Sequence, residues 1–258
     1  MPVEAPLVVA HRGSSHGVAE HTMRAYRDAL DAGADALECD VRLTSDGHLV
    51  CLHDRRVDRT STGYGVVSAL QLAQLAGLDF AAWRGAPDLD DPGVLTFARL
   101  LELVLAAPRR VELHVETKHP TRYAGLVEMT LIRVLQEYGV AGPGAPPDAV
   151  VTVMSFAPLG LRRIRLLAPE LPTVLLVRDK TYAAWREGVL PPGVHIAGPS
   201  IATVRRHPRY VSRLHARGHQ VHVWTVDATR DVDLVLELGV DAIITNRPRE
   251  VLARVGRG

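Results

Sequence analysis

Cysteine and aromatic residues are scarce in this chain of 258 residues, which contains two Cys, three Trp and three Phe. The two cysteines, Cys39 and Cys51, provide neither a disulfide framework nor a zinc-binding pattern, and they favour a reducing compartment. An excess of one charge sign is also missing, because 30 Lys and Arg balance 29 Asp and Glu to a net charge of +1. No global field therefore attracts nucleic acid or an anionic membrane, and we expect neither as a partner.

Long hydrophobic runs are absent as well. No stretch of the sequence approaches the roughly 20 apolar residues that a membrane-spanning helix needs. Residues 1–10 carry no basic residue ahead of their short apolar run, so they do not have the pattern of an export signal. These absences predict a cytoplasmic protein without an integral membrane segment, and they leave its oligomeric state open.

The distribution of apolar residues predicts an α/β fold. Short β-branched runs alternate with helical patterns, which is typical of parallel βαβ units. The predicted strands are residues 7–11, 36–41, 111–117, 150–154, 173–177, 194–197, 221–225 and 241–245. Eight strands in one alternating series favour a closed TIM (β/α)8 barrel. The alternative is an open doubly wound sheet, which usually carries a G-x-G-x-x-G phosphate loop that this chain lacks.

One region interrupts the alternation. Residues 48–53 have the pattern of a strand directly after the second barrel strand, and the Asp46-Gly47 pair before them is a strong turn signal. We therefore expect a hairpin after strand 2. The residues that follow, about 54–95, are rich in loops, and we expect them to form a small insertion within a single domain spanning residues 1–258.

Acidic residues lie where the predicted strands end, and barrel enzymes hold their active sites at that end. Glu38 and Asp40 are two residues apart, so their side chains leave the same face of one strand. Glu116 is expected to point into the barrel from the third strand. Three hard oxygen donors suit one divalent cation, Mg²⁺ or Ca²⁺ or else Mn²⁺, and do not suit zinc.

Histidines and cationic side chains accompany these acids. His11 and His53 are candidates for the general acid and base, because histidine titrates near neutral pH. Arg12 and Lys118 are candidates for holding the non-bridging oxygens of a phosphate. The alternative interpretation is a buried ion network in which the three carboxylates pair with Arg12, Arg42 and Lys118.

The other ten histidines receive no catalytic role. His114 and His222 lie inside predicted strands, and we expect them to be polar residues of the barrel interior. His21 has no group of candidate residues around it in the sequence, and we expect it to have no part in a site.

Several short motifs follow one another in a characteristic order through nearly the whole chain. They are His11-Arg12-Gly13, Glu20 with Thr22, Glu38-Cys39-Asp40-Val41, Asp46-Gly47, His53-Asp54, Asp58-Arg59-Thr60, Gly63-Tyr64-Gly65, Glu116-Thr117-Lys118, Ser155-Phe156, Val223-Trp224-Thr225-Val226 and the stretch 239–248. This ordered set resembles the glycerophosphodiester phosphodiesterase family, although no single tripeptide is specific. His21 departs from the family pattern, which usually has Asn there, and Leu95 replaces the usual Pro before Thr96.

The resemblance implies a TIM barrel that hydrolyses glycerophosphodiesters to glycerol 3-phosphate and an alcohol with the help of one divalent cation. It implies catalysis by His11 and His53, metal binding by Glu38, Asp40 and Glu116, and substrate or phosphate binding by Arg12, Lys118 and Trp224. For Trp224, packing at the barrel end is the alternative. Glu20 falls on a loop acid of the family, and we expect it to anchor the loop rather than to take part in catalysis.

Two other functions stay open at this point. A lysophospholipase D-like phosphodiesterase acting on lipids would need an apolar ledge at the barrel mouth, for which Leu78, Phe80 and Trp83 are candidates. The same three side chains could equally form the core of the insertion. A catalytically silent phosphate-binding barrel would be expected to lack some acid/base or metal residue, and none is missing. The nucleophile, either water or the glycerol hydroxyl of the substrate, also stays open.

Overall fold

A closed ring of parallel strands lies at the centre of the computed structural model, which describes residues 5–85, 93–145 and 150–257. The strands are β1 (Leu7–His11), β2 (Ala36–Leu43), β3 (Leu49–Cys51), β4 (Glu112–Thr117), β5 (Val151–Ser155), β6 (Thr173–Val177), β7 (Ile196–Pro199), β8 (Gln220–Val223) and β9 (Ala242–Thr245). All except β3 belong to the ring, which closes because β1 pairs with both β2 and β9. The predicted TIM barrel is confirmed, and the open-sheet alternative is wrong.

Helices connect the strands on the outside of the ring. They are α1 (Met23–Asp31), α2 (Leu72–Ala76), α3 (Phe97–Leu105), α4 (Leu126–Glu137), α5 (Pro158–Leu167), α6 (Tyr182–Trp185), α7 (Ile201–Arg206), α8 (Arg209–His215), α9 (Thr229–Glu237) and α10 (Pro248–Arg254). The hydroxyl of Thr22 caps α1 by accepting a hydrogen bond from the amide of Ala25, and Thr96 caps α3 in the same way. Within the described ranges, no helix is both long and apolar enough to cross a membrane.

The alternation of side chains along β4 divides the barrel into an outer and an inner core. Leu113 and Val115 face outward and pack with α3 and α4 in the largest apolar cluster. His114 faces inward, and its ring stacks on that of His222 at a centroid distance of 5.4 Å. Both histidines are buried in the barrel interior, as the strand pattern predicts.

The hairpin after β2 forms as expected, because β3 pairs antiparallel with β2. The segment after β3 has an apolar core of its own, in which Phe80 is buried and against which Leu78 packs. The guanidinium carbon of Arg84 lies 4.9 Å from the ring centroid of Trp83. Leu78 and Phe80 therefore belong to the core of this segment and do not form an apolar ledge. Residues 86–92 of the expected insertion lie outside the described residues.

Candidate active site

The register of the first barrel strands brings the candidate residues together at one mouth. His11, at the end of β1, lies beside Glu38 of β2, and Asp40 of β2 lies beside Glu116 of β4. A cavity of about 270 Å³ opens there. It is lined by His11, Arg12, Glu38, His53, Glu116, Lys118, Met154, Phe156, Leu176, Arg178, Trp224, Thr225 and Ile244. All the predicted site residues line this cavity, except for Asp40, which lies behind the lining.

The three acids form a compact buried group. One carboxylate oxygen from each of Glu38, Asp40 and Glu116 lies within 4.8 Å of the other two. Burial and the neighbouring charge of Asp40 raise the pKa of Glu116 to about 7, and the same two causes raise the pKa of Glu38 well above its usual range. A divalent cation would stabilise these buried, mutually repelling carboxylates, so the three oxygen donors fit such an ion.

Asp40 also lies at the centre of an ion network. Burial alone would raise its pKa, but Arg12 and Lys118 outweigh burial and hold the pKa well below its usual range. Nζ of Lys118 lies 3.2 Å from Oδ1 of Asp40 and 2.8 Å from Oε1 of Glu116, and Nε of Arg12 lies 3.0 Å from Oδ2 of Asp40. The alternative interpretation, a buried ion network, is therefore present in part. Arg42 does not join it, because its guanidinium donates to the carbonyl oxygen of His53.

The chain makes an unusual turn directly after β1. Arg12 has a φ of +58° and Gly13 a φ of +82°. A Cβ on Gly13 would lie 2.6 Å from the carbonyl carbon of Ala25 in α1, so only glycine fits this close approach. A non-glycine residue in the left-handed region costs roughly 1–3 kcal/mol, and the surrounding contacts must stabilise it. For Arg12 those contacts include Asp40 and Glu20, whose Oε1 lies 3.0 Å from Nη1.

His21 lies in the same network, so the expectation that it stands apart from the site is wrong. Its ring is buried, with Nε2 at 3.0 Å from Oδ2 of Asp40 and Nδ1 at 2.8 Å from the hydroxyl oxygen of Tyr26. Burial lowers the pKa of His21, although Asp40 acts in the opposite direction. The only sign of a role for His21 in the sequence is that it stands where the family usually has Asn. This replacement does not identify Asp40 and Tyr26 as its partners.

A hydrogen bond donated by Nδ1 fixes the orientation of His11. Nδ1 of His11 lies 2.7 Å from Oδ1 of Asn246, and Oδ1 also accepts a hydrogen bond from the hydroxyl of Ser15. The amide nitrogen of Asn246 donates to Asp227, so Oδ1 is the acceptor and Nδ1 of His11 carries the proton. Nε2 then presents its lone pair toward the acids, 3.9 Å from Oε2 of Glu38. Sequence reasoning missed Asn246 as the partner of His11.

His53 is held in a similar way by a charged partner. Its Nδ1 lies 2.8 Å from Oδ1 of Asp54, and Oδ2 of Asp54 accepts a hydrogen bond from Arg59. Burial lowers the pKa of His53, and burial together with Arg12 lowers the pKa of His11 to about 3. The His11 ring is therefore neutral in the free protein at neutral pH, with Nε2 unprotonated.

Glu20 connects the loop after β1 to the segment after β3. Its carboxylate accepts hydrogen bonds from Arg12 and from Arg59. Burial would raise the pKa of Glu20, but the hydrogen bonds from Arg59 and the charge of Arg12 lower it to about 2. Glu20 does not line the cavity, and its carboxylate lies between two arginines of different segments.

The opposite wall of the cavity is mainly apolar. Trp224 lines it, and its ring meets that of Phe156 edge to face at a centroid distance of 5.4 Å. Nε1 of Trp224 donates to the carbonyl oxygen of Gly198 at 2.6 Å, which fixes the indole at the end of β8. The side chain therefore both lines the pocket and packs at the barrel end.

The chain is similar in sequence to known proteins. A family model described as "Glycerophosphoryl diester phosphodiesterase family" matches residues 11–250. The Mycobacterium tuberculosis protein "Probable glycerophosphodiester phosphodiesterase 1" is 47% identical over 247 residues, which cover 94% of this chain and 90% of that protein. The glycerophosphodiester phosphodiesterase of Bacillus subtilis is 32% identical, over 98% of this chain and 87% of its own length.

A solved structure shares the fold. It is a phosphodiesterase of Oleispira antarctica in complex with the product sn-glycerol-3-phosphate, with a TM-score of 0.81 and 23% sequence identity. The similarity covers 98% of this chain and 97% of that one. The barrel and its additional hairpin segment therefore occur in a known architecture.

Proposed function

We propose that this chain, which belongs to the glycerophosphoryl diester phosphodiesterase family and is therefore a phosphodiester hydrolase, releases glycerol 3-phosphate and an alcohol from glycerophosphodiesters. The observation that carries the proposal is that two histidines, two carboxylates and three cationic side chains line one cavity of about 270 Å³. A related fold has been solved with sn-glycerol-3-phosphate as its product. We take residues 1–258 as one domain of this kind.

Glu38, Asp40 and Glu116 would hold one divalent cation, Mg²⁺ or Ca²⁺ or else Mn²⁺. Carboxylate oxygens are the donors that these hard cations prefer, and one oxygen from each acid lies within 4.8 Å of the others. A bound cation would offset the repulsion that raises the pKa of Glu38 and Glu116. When bound, it would supply positive charge to the phosphate in the transition state.

Arg12 and Lys118 are the phosphate-binding residues in this proposal. Both line the cavity, and both retain donors beyond those bound to carboxylates. Nε and Nη1 of Arg12 contact Asp40 and Glu20, which leaves further guanidinium N–H groups for a phosphate oxygen. Nζ of Lys118 has three hydrogens and two carboxylate neighbours.

The partners of the two histidines suggest how the acid and base roles are divided. The neutral amide of Asn246 holds His11 with Nε2 unprotonated, which suits a base that takes the proton from the nucleophile. The carboxylate of Asp54 on Nδ1 of His53 stabilises an imidazolium, which suits the acid that protonates the leaving alkoxide. We therefore assign the base to His11 and the acid to His53, with water or the glycerol hydroxyl as nucleophile.

The direct test is an assay of product release. The protein is given glycerophosphoglycerol or glycerophosphocholine, and the glycerol 3-phosphate released is measured with a coupled dehydrogenase. With lysophosphatidylcholine as substrate, the choline released is measured. We expect turnover of the water-soluble diesters. Turnover of lysophosphatidylcholine alone would favour the lipid-specific alternative. Tight binding of glycerol 3-phosphate without turnover in Mg²⁺, Ca²⁺ or Mn²⁺ would favour the catalytically silent barrel.

A further inference from the structure

The cavity has two chemically different halves. Strands β1, β2 and β4 are adjacent in the ring and supply the acids and His11, and Arg12 and Lys118 directly follow β1 and β4. Strand β6 is the fifth of the eight ring strands and therefore lies across the barrel from β1. Arg178, which directly follows β6, lines the cavity from that opposite side.

Arg178 differs from the other cations of the cavity in its surroundings. Arg12 and Lys118 are each within 4.0 Å of carboxylates. In the part of the chain that the structure describes, Arg178 has no carboxylate partner, and its neighbour Asp179 pairs with Arg206 instead. The Arg178 side chain is exposed, and its guanidinium carbon lies 3.9 Å from the ring centroid of Phe156.

A guanidinium stacked on a ring in this way keeps its edge N–H groups available. Such an edge binds a carboxylate or a phosphate through two parallel hydrogen bonds. A quaternary ammonium, which would otherwise be attracted to an aromatic face, meets a ring that is already covered by a like charge. The remaining wall carries no charge and is formed by Met154, Leu176, Trp224, Thr225 and Ile244.

A glycerophosphodiester that has its phosphate against the acids and cations of the first half must extend one substituent toward this wall. The glycerol end is neutral and common to all such substrates, so charge discrimination can act only on the alcohol. We propose that Arg178 is a specificity-determining residue that favours alcohols carrying a carboxylate or phosphate and disfavours those carrying an ammonium group. This inference rests on the proposed function.

The test uses three diesters of glycerol 3-phosphate whose alcohols have similar length but different charge. The alcohols are 3-hydroxypropanoate, propane-1,3-diol and 3-aminopropanol. For the wild-type protein we expect kcat/KM to fall in that order, and we expect Arg178→Met to lower the ratio of the first to the third by on the order of 10-fold. The change should appear mainly in KM, because the contact exists in both ground and transition states.

Two further variants sharpen the result. Arg178→Glu should reverse the order of the three substrates. Arg186→Met makes the same charge change at an exposed position that pairs with Glu187 outside the cavity, and it should leave the ratio unchanged. Turnover of all three substrates with a ratio that Arg178→Met does not alter would overturn this inference alone. Absence of turnover of any of them by the wild-type protein would instead contradict the proposed function.

Discussion

Nε2 of His21 lies 3.0 Å from Oδ2 of Asp40, the same oxygen that Nε of Arg12 approaches at 3.0 Å. Both residues have a positive φ, +59° for His21 and +58° for Arg12. The buried carboxylate of Asp40 in β2 thus contacts both non-glycine residues of positive φ in the loop between β1 and α1. The conformation of this loop and the orientation of a proposed metal ligand are therefore linked.

We expect His21→Ala to weaken the response to the activating cation. The substitution leaves Asp40 and the Tyr26 hydroxyl without their shared partner. Loss of a residue that orients a metal ligand typically lowers metal affinity or activity by about 10- to 100-fold. Half-maximal activation by Mg²⁺ or Ca²⁺, measured by glycerol 3-phosphate release, reports this change.

His21→Asn is the matched conservative variant, because Asn keeps a polar side chain and tolerates a positive φ. It should retain more of the cation response than His21→Ala. The same cation dependence in both variants and in the wild type would show that His21 supports the fold without positioning Asp40.

Replacement of either proposed acid/base residue should reduce turnover strongly. His11→Ala and His53→Ala are each expected to lower kcat by about 10²- to 10⁴-fold, because a positioned proton-transfer group contributes a factor of that size. The measurement is steady-state hydrolysis of glycerophosphoglycerol at saturating cation.

His48→Ala provides the control, because His48 is exposed in the turn before β3 and does not line the cavity. It should leave kcat unchanged. Near-full, cation-dependent turnover in both His11→Ala and His53→Ala would refute the assignment of these histidines.

Glu20 should make the stability of the protein depend on pH. Its pKa is lowered from 4.5 to about 2 in the folded protein, so its contribution is present above pH 4.5 and is lost as the pH falls toward 2. A pKa difference of this size contributes at most about 3 kcal/mol to the free energy of unfolding. Glu20→Gln should therefore lower the free energy of unfolding at pH 7, and the difference from wild type should shrink below pH 4.5.

Urea denaturation followed by circular dichroism at several pH values measures this difference. Glu137→Gln is the control, since Glu137 forms an exposed pair with Arg133 and exposed pairs contribute at most about 1 kcal/mol. If the Glu20→Gln difference is as small as that of Glu137→Gln at pH 7, the two arginines do not stabilise the fold through Glu20.

The sequence alone predicted the parts of the site that depend on strand periodicity. Glu38 and Asp40 share a face because they are two residues apart, and the parallel register then places Asp40 beside Glu116. Strand ends were less accurate. The strand predicted at 194–197 is observed at Ile196–Pro199. The prediction left out Gly198 and Pro199 because these residues do not have the β-branched pattern of a strand.

Contacts that depend on loops and on distant partners could not be predicted. The alternative ion network would have paired Arg42 with the acids, but pairing of β2 with β3 brings the carbonyl oxygen of His53 within reach of its guanidinium instead. The role of His21 depends on a loop conformation that no sequence period encodes. Arg178 is a single arginine after a strand, and only the closed ring shows that it faces the acids.

We expect hydrolysis to depend on one cation held by Glu38, Asp40 and Glu116. The most direct measurement is glycerol 3-phosphate release by chelator-treated protein, followed by titration of Mg²⁺, Ca²⁺ or Mn²⁺ into the wild type and into Glu38→Gln. We expect no turnover in chelator, recovery with one ion bound per chain, and a much higher cation requirement in Glu38→Gln. Full turnover in the presence of chelator, or an unchanged cation requirement in Glu38→Gln, would contradict the account.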